Sequence, residues 1–580
     1  MKINLDLVTD FIDIPNKNFS NTFLLSNDLI GAIDDHTGKF IPKSDVISRV
    51  KKIINQNSIT DLKLFFGNII GNCSLIISNS EYFYCINSST SPGLFYHFNN
   101  DKIYITDKEY ETFKSLKSLV INSYASSFLF HQGLIRDSKN TLNKTWNYLC
   151  SGCDLFLKNG NEKRSFYFSE LPPIKLSFGI ILESIIKAYS DNMENLFVAK
   201  SGGIDSCCLA LAYSKYNPNG KLIHIPYFGK STTGFKTSNE IAKILGLKLE
   251  LAESYKSNSN LNSGLGISVG PEYEKVGFNY LIDKYDSVNI ITGQNLDSLY
   301  FIDSFAPSSN ERGFIRKIKI LYTSFKRFVF SIHFIRFVKF VSRTFSKIFI
   351  NKYIGTFLNG FNEHRAPFFE KDLKYTSRFQ SLFSSRENSY LELINENKID
   401  LNVKLRSLKY LKFVQNTHRN YYNLKIKHKI NRLNPFSEGL FVRFFLNYEL
   451  KLKDSFFIKS ECSDYLIDNN INYNRIASKF SKSSLYYMLR EIFFMFPVDM
   501  QVNLGKIFKI KTSNYLFVKD KNDINEIEFA LNLIKNNNND LRETLSDILL
   551  KINGKNNLNK NEKMLLYKLK NVNNLLREYS

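Results

Sequence analysis

The sequence predicts an α/β protein in which a β-rich N-terminal domain precedes a doubly wound parallel sheet with helical additions. Three observations support this prediction. The first ~170 residues alternate short apolar runs with turn residues. From Leu196 onward, apolar strands alternate with helical patterns instead. The chain has 580 residues, which is more than one hydrophobic core usually serves, so two domains are expected.

Six apolar or β-branched runs predict the strands of the N-terminal domain, because turn-forming Asn, Ser, Pro or Gly residues separate them. These runs are Thr22 to Leu25, Cys73 to Ile77, Tyr82 to Ile86, Leu94 to Phe98, Ile103 to Thr106 and Leu155 to Leu157. Two prolines at 172 and 173 precede a helical pattern from Ser177 to Tyr189. The predicted domains are therefore residues 1–172 and 173–580.

The second domain begins with a regular strand, loop and helix rhythm. Strands are predicted at Leu196 to Ala199, Leu222 to Tyr227, Lys248 to Ala252 and Val288 to Thr292. Helices are predicted from the loop after Ala199 through Tyr213, and near Thr237 to Leu245. A sheet of this kind binds its ligand beyond the carboxyl ends of the strands. The chain after residue 352 is predicted to be largely helical.

A loop of small residues, Ser-Gly-Gly-Ile-Asp-Ser, joins the strand ending at Ala199 to the next helix. Glycines permit positive φ and close approach of the backbone, so that N–H groups at a helix N-terminus converge on phosphate oxygens. Hydroxyl groups add donors, and an aspartate supplies the oxygen ligands that Mg²⁺ prefers. The motif predicts an ATP site with Asp205 on Mg²⁺. Its residues are Ser201, Gly202, Gly203, Asp205 and Ser206.

A second polar loop, from Thr292 to Ser298, follows another apolar strand. In a doubly wound sheet this loop faces the first one across the switch point of the strand order. Gly293 is therefore predicted to lie at the ATP site. Asp297 is predicted to complete the Mg²⁺ site begun by Asp205.

The cysteines and the N-terminus predict a cytoplasmic protein. Seven cysteines, an odd number spread over the chain, argue against a disulfide framework and for a reducing compartment. Cys150 and Cys153 form an isolated C-x-x-C that lacks the second ligand pair of a structural zinc site. The first ten residues contain acids where a signal peptide needs an apolar run, and no window reaches the ~18 apolar residues of a spanning helix.

Residues 311–352 form a basic segment in which eleven Lys or Arg interleave with Phe, Ile and Val against one acid, Glu311. One interpretation is a helical insertion whose apolar face packs on the core while its charges are solvated. The other is attachment to an anionic membrane at the inner face of the cell, or to an acidic partner. The net charge of +23 is compatible with both and does not choose between them.

Together these motifs resemble the asparagine-synthetase-like ATP pyrophosphatases, over most of the chain apart from the basic segment. In that family the loop corresponding to Ser201 to Ser206 binds the pyrophosphate of ATP, and aspartates corresponding to Asp205 and Asp297 bind Mg²⁺. The stretch from Lys429 to Phe436 is similar to the family's R-V-P-F region. The stretch from Lys482 to Arg490 is similar to its K-x-x-L-R element.

The N-terminal domain resembles the family's class II glutamine amidotransferase domain, which has an Ntn-hydrolase-like fold. Thr90 to Tyr96, followed by Ile103 to Asp107, is similar to its G-x-x-P-L-Y and F-A-S segments. An active glutaminase of this class needs cysteine directly after the initiator Met, because the free α-amine acts beside the thiolate nucleophile. Lys2 stands at that position. The resemblance therefore implies a degenerate domain that does not hydrolyse glutamine.

A member without glutaminase chemistry resembles the branches that use an amine of the substrate, the β-lactam synthetases and the lasso-peptide cyclases of microcin type. The resemblance implies adenylation of a side-chain carboxylate in a cleaved precursor peptide, followed by attack of the peptide's N-terminal amine to give a macrolactam. ATP and Mg²⁺ are the implied cofactors, and a leader peptidase is the implied protein partner. Gln294 stands where β-lactam synthetases have a tyrosine, so their tyrosine–glutamate pair is not carried over.

The family's late lysine, which stabilises charge on the departing pyrophosphate, corresponds to Lys506, with Lys509 as the alternative register. Three other functions stay open. An ammonia-using amidotransferase on a sugar acid or amino acid would release AMP with ammonia alone. An RNA-modifying pyrophosphatase would bind RNA in a salt-sensitive way, but the N-terminal β domain argues against nucleic acid. A non-catalytic scaffold conflicts with the retained aspartates.

Overall fold

A computed structural model describes most of the chain up to residue 252 and parts of the remainder. The described residues are 5–8, 14–15, 22–26, 28–79, 81–99, 102–108, 112, 138–141, 143–224, 233–252, 281, 284–296, 299, 389–394, 403–404, 406–408, 410–411, 418, 422, 425, 429–448, 459–480, 517–518, 528 and 557–558. They form a mixed α/β structure with several sheets. Within this part, no helix is both long enough and apolar enough to cross a membrane.

The strands are numbered here in chain order. They are β1 (Leu5–Val8), β2 (Ile14–Pro15), β3 (Thr22–Ser26), β4 (Leu29–Ile33), β5 (Phe40–Pro42), β6 (Ile69–Gly71), β7 (Ser74–Ser78), β8 (Phe83–Asn87), β9 (Leu94–Asn99), β10 (Lys102–Thr106), β11 (Asn147–Leu149), β12 (Cys153–Lys158), β13 (Asn161–Phe166), β14 (Leu196–Ala199), β15 (Lys221–His224), β16 (Lys248–Leu251), β17 (Val288–Ile291), β18 (Ile430–Leu433), β19 (Phe517–Val518) and β20 (Asn557–Leu558).

The helices are also numbered in chain order, and two short 3₁₀ helices accompany them. The α-helices are α1 (Lys43–Asn55), α2 (Ile59–Phe66), α3 (Phe178–Asn192), α4 (Ile204–Tyr216), α5 (Thr233–Ile244), α6 (Gly439–Leu446), α7 (Ser460–Asp468) and α8 (Tyr473–Phe480). The 3₁₀ helices are Tyr167–Glu170 and Pro435–Ser437.

The N-terminal part is built from antiparallel sheets. One sheet has the strand order β1-β3-β7-β8-β12-β13, a second has the order β11-β9-β10-β2, and a third has the order β5-β4-β6. All their pairings are antiparallel except β1 with β3. Each predicted strand of this region is found, with ends that differ by one or two residues. Two helices, α1 and α2, also lie here, and an expectation of mostly β structure missed them.

A five-stranded sheet with the order β16-β15-β14-β17-β18 forms the centre of the chain after residue 195. All pairs of adjacent strands in this sheet are parallel. The chain runs from β14 outward through β15 to β16, whereas β17 lies on the other side of β14. The strand order therefore reverses between β14 and β17, where such sheets bind ligands. The edge strand β18 is not among the predicted strands. The described residues after 352 also include α6, α7 and α8, and the expectation of a largely helical chain there stays a prediction.

Buried apolar side chains from both parts of the chain form one contiguous cluster, which extends from Leu25 to Ile476. Helix α3 contributes much of the junction, because it packs against α4 on one side and against β4 on the other. Seven of its side chains are buried, including Phe178 and Ile185. Packing thus connects the N-terminal sheets to the parallel sheet through this helix. The boundary at residue 172 stays a prediction.

Candidate nucleotide-binding site

The Ser-Gly-Gly loop lies where the sequence predicts it, between the central strand β14 and helix α4. The strand is short and apolar, and three of its four residues are buried. Gly203 takes extended backbone angles as the N-cap residue, and no side chain caps the helix there. Helix α4 has thirteen residues, so its first N–H groups and its dipole both favour an anion at this end.

Two hydroxyl groups fix the shape of the loop. The Ser206 hydroxyl accepts a hydrogen bond from the Ser201 N–H at 3.3 Å and donates one to the Gly203 carbonyl at 2.9 Å. The Ser201 hydroxyl accepts from the Gly203 N–H at 3.3 Å and lies 3.2 Å from the Ser206 hydroxyl. These bonds close the loop on itself and hold the backbone in a fixed arrangement before any ligand arrives.

Close contacts at Gly202 explain why the middle of the loop is glycine. Its φ is +85°, and a Cβ atom there would lie 2.5 Å from the carbonyl oxygen of Gly234. Gly234 belongs to α5, and a Cβ on it would in turn lie 2.8 Å from the Ser201 carbonyl oxygen. From a third helix, α8, the Tyr473 hydroxyl donates to the Gly202 carbonyl at 3.0 Å. The loop is therefore supported by two helices besides its own.

The second loop faces the first as predicted, as far as the described residues show. A Cβ on Gly293 would lie 3.2 Å from the Asp205 Cβ and 3.4 Å from the Ser206 nitrogen. The backbone after β17 thus comes directly against the start of α4. Asp297, the predicted partner of Asp205, lies outside the described residues.

A lysine that the sequence did not single out lies on the loop aspartate. The Lys459 ammonium forms an ion pair with Asp205 Oδ2. The lysine side chain is 8% exposed and the aspartate side chain 16%, so the pair is largely withdrawn from water. Lys459 takes a left-handed conformation, with φ at +58°, immediately before α7. No spacing in the sequence signals this contact, because 254 residues separate the two partners.

The donor chemistry at Asp205 suits Mg²⁺, which the family resemblance implies. A carboxylate oxygen is the kind of ligand that Mg²⁺ prefers. The Oδ2 atom of Asp205 already pairs with a cation, the Lys459 ammonium. Among the described residues, no group of three His, Cys, Asp or Glu side chains gathers around one point. Asp205 is thus the described residue that would hold the metal.

A second lysine, Lys200, lies directly before the loop and is almost fully buried, with 1% of its surface exposed. Its ammonium donates to the Ser206 hydroxyl at 3.1 Å and to the Cys207 sulfur at 3.0 Å. Burial raises the pKa of the Cys207 thiol, and the nearby ammonium opposes that rise only in part. Neither partner of the lysine is a carboxylate. Lys200 is not among the residues predicted from the sequence, although a charged residue between an apolar strand and the loop could have drawn attention to it.

The backbone of Lys200 is held as firmly as its side chain. The His224 ring nitrogen Nδ1 lies 2.6 Å from the Lys200 carbonyl oxygen, to which the Ser238 hydroxyl also donates at 3.3 Å. Burial lowers the pKa of His224, the hydrogen bond with the Lys200 carbonyl opposes this in part, and the Lys200 ammonium lowers the pKa further. A neutral ring that donates from Nδ1 fits this contact. The residue before the loop is thereby fixed from β15 and α5.

A separate polar cluster surrounds Glu438, between the 3₁₀ helix and α6. Its carboxyl accepts a hydrogen bond of 2.5 Å from the Tyr189 hydroxyl, and the Gly71 N–H donates to both oxygens at 3.3 and 3.2 Å. Burial raises the pKa of Glu438 to about 7, against the opposing effect of these hydrogen bonds. With Asn434 and His418 it lines a cavity of about 30 Å³. The cluster ties the end of β6 to the segment after β18.

Several predicted site residues lie outside the described part of the chain. These are Lys2, Asp297, the basic segment 311–352, Lys482 to Arg490, Lys506 and Lys509. The region from Lys429 to Phe436 is described and forms β18 followed by the 3₁₀ helix. The two cysteines of the C-x-x-C motif are both buried in the core and carry free thiols.

Comparison with known proteins adds no further support: no family model and no curated protein sequence matches this chain.

Proposed function

We propose that this protein is an ATP-dependent, AMP-forming C–N ligase of the asparagine-synthetase-like class, with a degenerate amidotransferase-like N-terminal domain. One observation carries the proposal. A Ser-Gly-Gly-Ile-Asp-Ser loop lies at the switch point of a parallel sheet, before the N-terminus of α4, and Gly293 of the neighbouring loop packs against it. This arrangement concentrates backbone donors and a carboxylate where a polyphosphate would bind.

The proposed reaction has two steps. A carboxylate oxygen of the substrate attacks the α-phosphorus of ATP and the bond from that phosphorus to the β-phosphate oxygen breaks, giving an acyl adenylate and pyrophosphate. An amine nitrogen then attacks the acyl carbon, AMP leaves and the amine proton passes to solvent. Activation is needed because a carboxylate by itself is a poor acyl donor.

The loop residues have distinct roles in the first step. The Gly202 N–H and the Ser201 hydroxyl would hold the pyrophosphate end of ATP. The Gly203 N–H and the Ser206 hydroxyl, which are bonded within the loop, would keep it in shape. Gly293 leaves room for the phosphates beside Asp205. Mg²⁺ held by Asp205, together with Asp297, would supply positive charge for the departing pyrophosphate. Lys506 would supply further positive charge at the same stage.

The amine in the second step is proposed to belong to the substrate itself. This part depends on the resemblance to the branches that use an amine of the substrate. A precursor peptide, freed of its leader by a peptidase partner, would present a side-chain carboxylate and its own N-terminal amine. Holding the two ends together and excluding water would account for much of the rate of ring closure. The proposed location is the cytoplasm, with membrane contact through residues 311–352.

Pyrophosphate exchange tests the proposal. Purified protein is incubated with ATP, Mg²⁺, labelled pyrophosphate and a candidate peptide, and label entering ATP is measured together with loss of one water from the peptide by mass spectrometry. We expect peptide-dependent exchange that Asp205→Asn abolishes. Asp191→Asn, which alters an exposed acid on α3, is the matched control and should have no effect. ADP as the product would contradict the proposal, and AMP release with ammonia alone would favour the amidotransferase alternative.

A further inference from the structure

Lys200 is a buried cation whose position calls for an explanation. Only 1% of its surface is exposed, and lysine is among the residues least often buried without an opposite charge. Within the described part of the chain, its ammonium has two partners, the Ser206 hydroxyl and the Cys207 sulfur. Neither partner is a carboxylate. The charge of Lys200 is thus not balanced by its contacts.

An unbalanced buried charge is costly, since desolvation is repaid only by a well-placed opposite charge. A methionine of similar length would fill the same space at β14 without that cost. The location of the Lys200 ammonium suggests what balances its charge. It lies directly behind a loop that has no acidic group apart from Asp205, and that carboxylate is already paired with Lys459. Lys200 and Lys459 therefore place two ammonium groups beside the carboxylate of the loop.

The Lys200 ammonium also helps to orient a hydroxyl group of the loop. Ser206 accepts from Lys200 and from the Ser201 N–H, while it donates to the Gly203 carbonyl. Its hydroxyl is consequently oriented by three groups, one of which is the lysine. His224 and Ser238 hold the Lys200 backbone, so the ammonium is fixed with respect to the loop. A charge held in place in this way requires little rearrangement when a ligand binds.

We infer that Lys200 is a positioning residue of the phosphate loop: it orients the Ser206 hydroxyl and supplies the positive charge that an incoming pyrophosphate group balances. This inference rests on the proposed function, because it takes the loop to be a polyphosphate site. It accounts for the presence of a lysine at a buried position beside an apolar strand. The inference predicts that phosphate binding depends on Lys200, whereas folding does not.

Two variants and one control test this. Lys200→Met removes the charge with little change in volume, and Lys200→Gln keeps a hydrogen-bonding group without charge. Lys215→Met removes one charge from the C-terminal end of α4, the helix that follows the loop, where the lysine pairs with Glu183 at 2.6 Å. The dissociation constants of inorganic pyrophosphate and of adenosine are measured by calorimetry for each protein, and thermal unfolding is recorded in parallel.

We expect both Lys200 variants to bind pyrophosphate roughly tenfold more weakly or worse, with adenosine unchanged. Lys200→Met should keep or raise the unfolding temperature, because it removes an unbalanced buried charge. Lys215→Met should bind both ligands as the wild type does. Unchanged pyrophosphate affinity in either Lys200 variant would overturn the inference. So would failure of both variants to fold, since Lys200 would then be a determinant of folding. A wild type that binds neither ATP nor pyrophosphate would instead refute the proposed function.

Discussion

Lys459 and Asp205 form a largely buried ion pair that joins the segment before α7 to the first turn of α4. The same carboxylate is the described residue that would hold Mg²⁺. An ammonium and a divalent cation compete for one oxygen when both are attracted to it. The pair therefore connects stability of the loop with its affinity for metal.

Lys459→Met should separate these two effects. Because a buried carboxylate is left without its cation, we expect the free energy of unfolding to fall by on the order of 3 kcal/mol without metal. Mg²⁺ should restore part of that loss, and half-maximal activity should need less Mg²⁺ than in the wild type. Urea denaturation with and without Mg²⁺ measures the first effect. An increased requirement for Mg²⁺ would contradict the competition.

The control for that variant is Lys479→Met, which removes a lysine paired with Glu240 at 3.2 Å on a more exposed surface. Exposed pairs contribute about 1 kcal/mol or less, so this change should barely alter unfolding and should leave the Mg²⁺ requirement unchanged.

Gly202→Ala should disable the loop. Its positive φ disfavours alanine, and the added Cβ would lie 2.5 Å from the Gly234 carbonyl oxygen, which is backbone and does not move freely. We expect a loss of about 2 to 4 kcal/mol in stability and no measurable ATP binding. Gly160→Ala is the matched control, because φ there is +76° with nothing within 4 Å of the new Cβ. It should cost only about 1 kcal/mol. Equal effects of the two substitutions would show that the contact with Gly234 is unimportant.

Glu438 should make stability depend on pH near neutrality. Its pKa is raised from 4.5 to about 7, so the folded protein binds a proton that the unfolded chain has released in this interval. The stabilisation is therefore fully present below about pH 4.5 and is lost as the pH rises through about 7. The loss amounts to about 3 kcal/mol. Denaturant unfolding at a series of pH values measures it.

Glu438→Gln should remove this dependence, because glutamine resembles the protonated acid and still accepts from the Tyr189 hydroxyl and the Gly71 N–H. Above neutral pH the variant should be more stable than the wild type. If the free energy of unfolding of the variant falls with rising pH as steeply as that of the wild type, another group must cause the pH dependence.

Much of the fold could be predicted from the sequence because its apolar runs are short and well separated by turns. Strand β14 was predicted to the residue, and β16 and β17 to within one residue. The helix α1 is not predicted, although Val46, Val50 and Ile54 follow a helical period, because the apolar runs elsewhere in this region indicate a mostly antiparallel β domain. The strand β18 was missed because it is only four residues long and contains Asn431 and Arg432.

The candidate site could be predicted where it depends on local sequence. The loop needs small residues between a strand and a helix, and that requirement is visible in six consecutive residues. The approach of Gly293 to Asp205 followed from the topology of a parallel sheet. The contact of Lys459 with Asp205 could not be predicted, because it depends on how α7 packs against α4. A lysine in a helix-rich region carries no local sign of a partner 254 residues away.

Arg443→Met should reveal how strongly the two parts of the chain depend on each other. The guanidinium is buried on α6, where it pairs with Asp35 at 2.9 Å and donates to the Asn68 side chain and the Pro172 carbonyl. Its removal leaves Asp35 without its cation, so we expect a loss of about 3 to 5 kcal/mol in the free energy of unfolding. Arg49→Met, on the exposed face of α1, should have little effect. A small effect at Arg443 would mean that the junction tolerates a missing charge.

The same junction determines how freely the first 172 residues can change. Asp35 and Asn68 both accept hydrogen bonds from Arg443 on α6. Helix α3 packs against β4 within the same shared core. Whatever chemistry the N-terminal sheets have, their inner surface is constrained by side chains that come hundreds of residues later. Mutational tolerance should therefore be high on their outer faces and low against α3 and α6. The inner surface of the N-terminal sheets is therefore constrained by packing against the rest of the chain. A conserved position on that surface would indicate a packing contact as readily as a catalytic role.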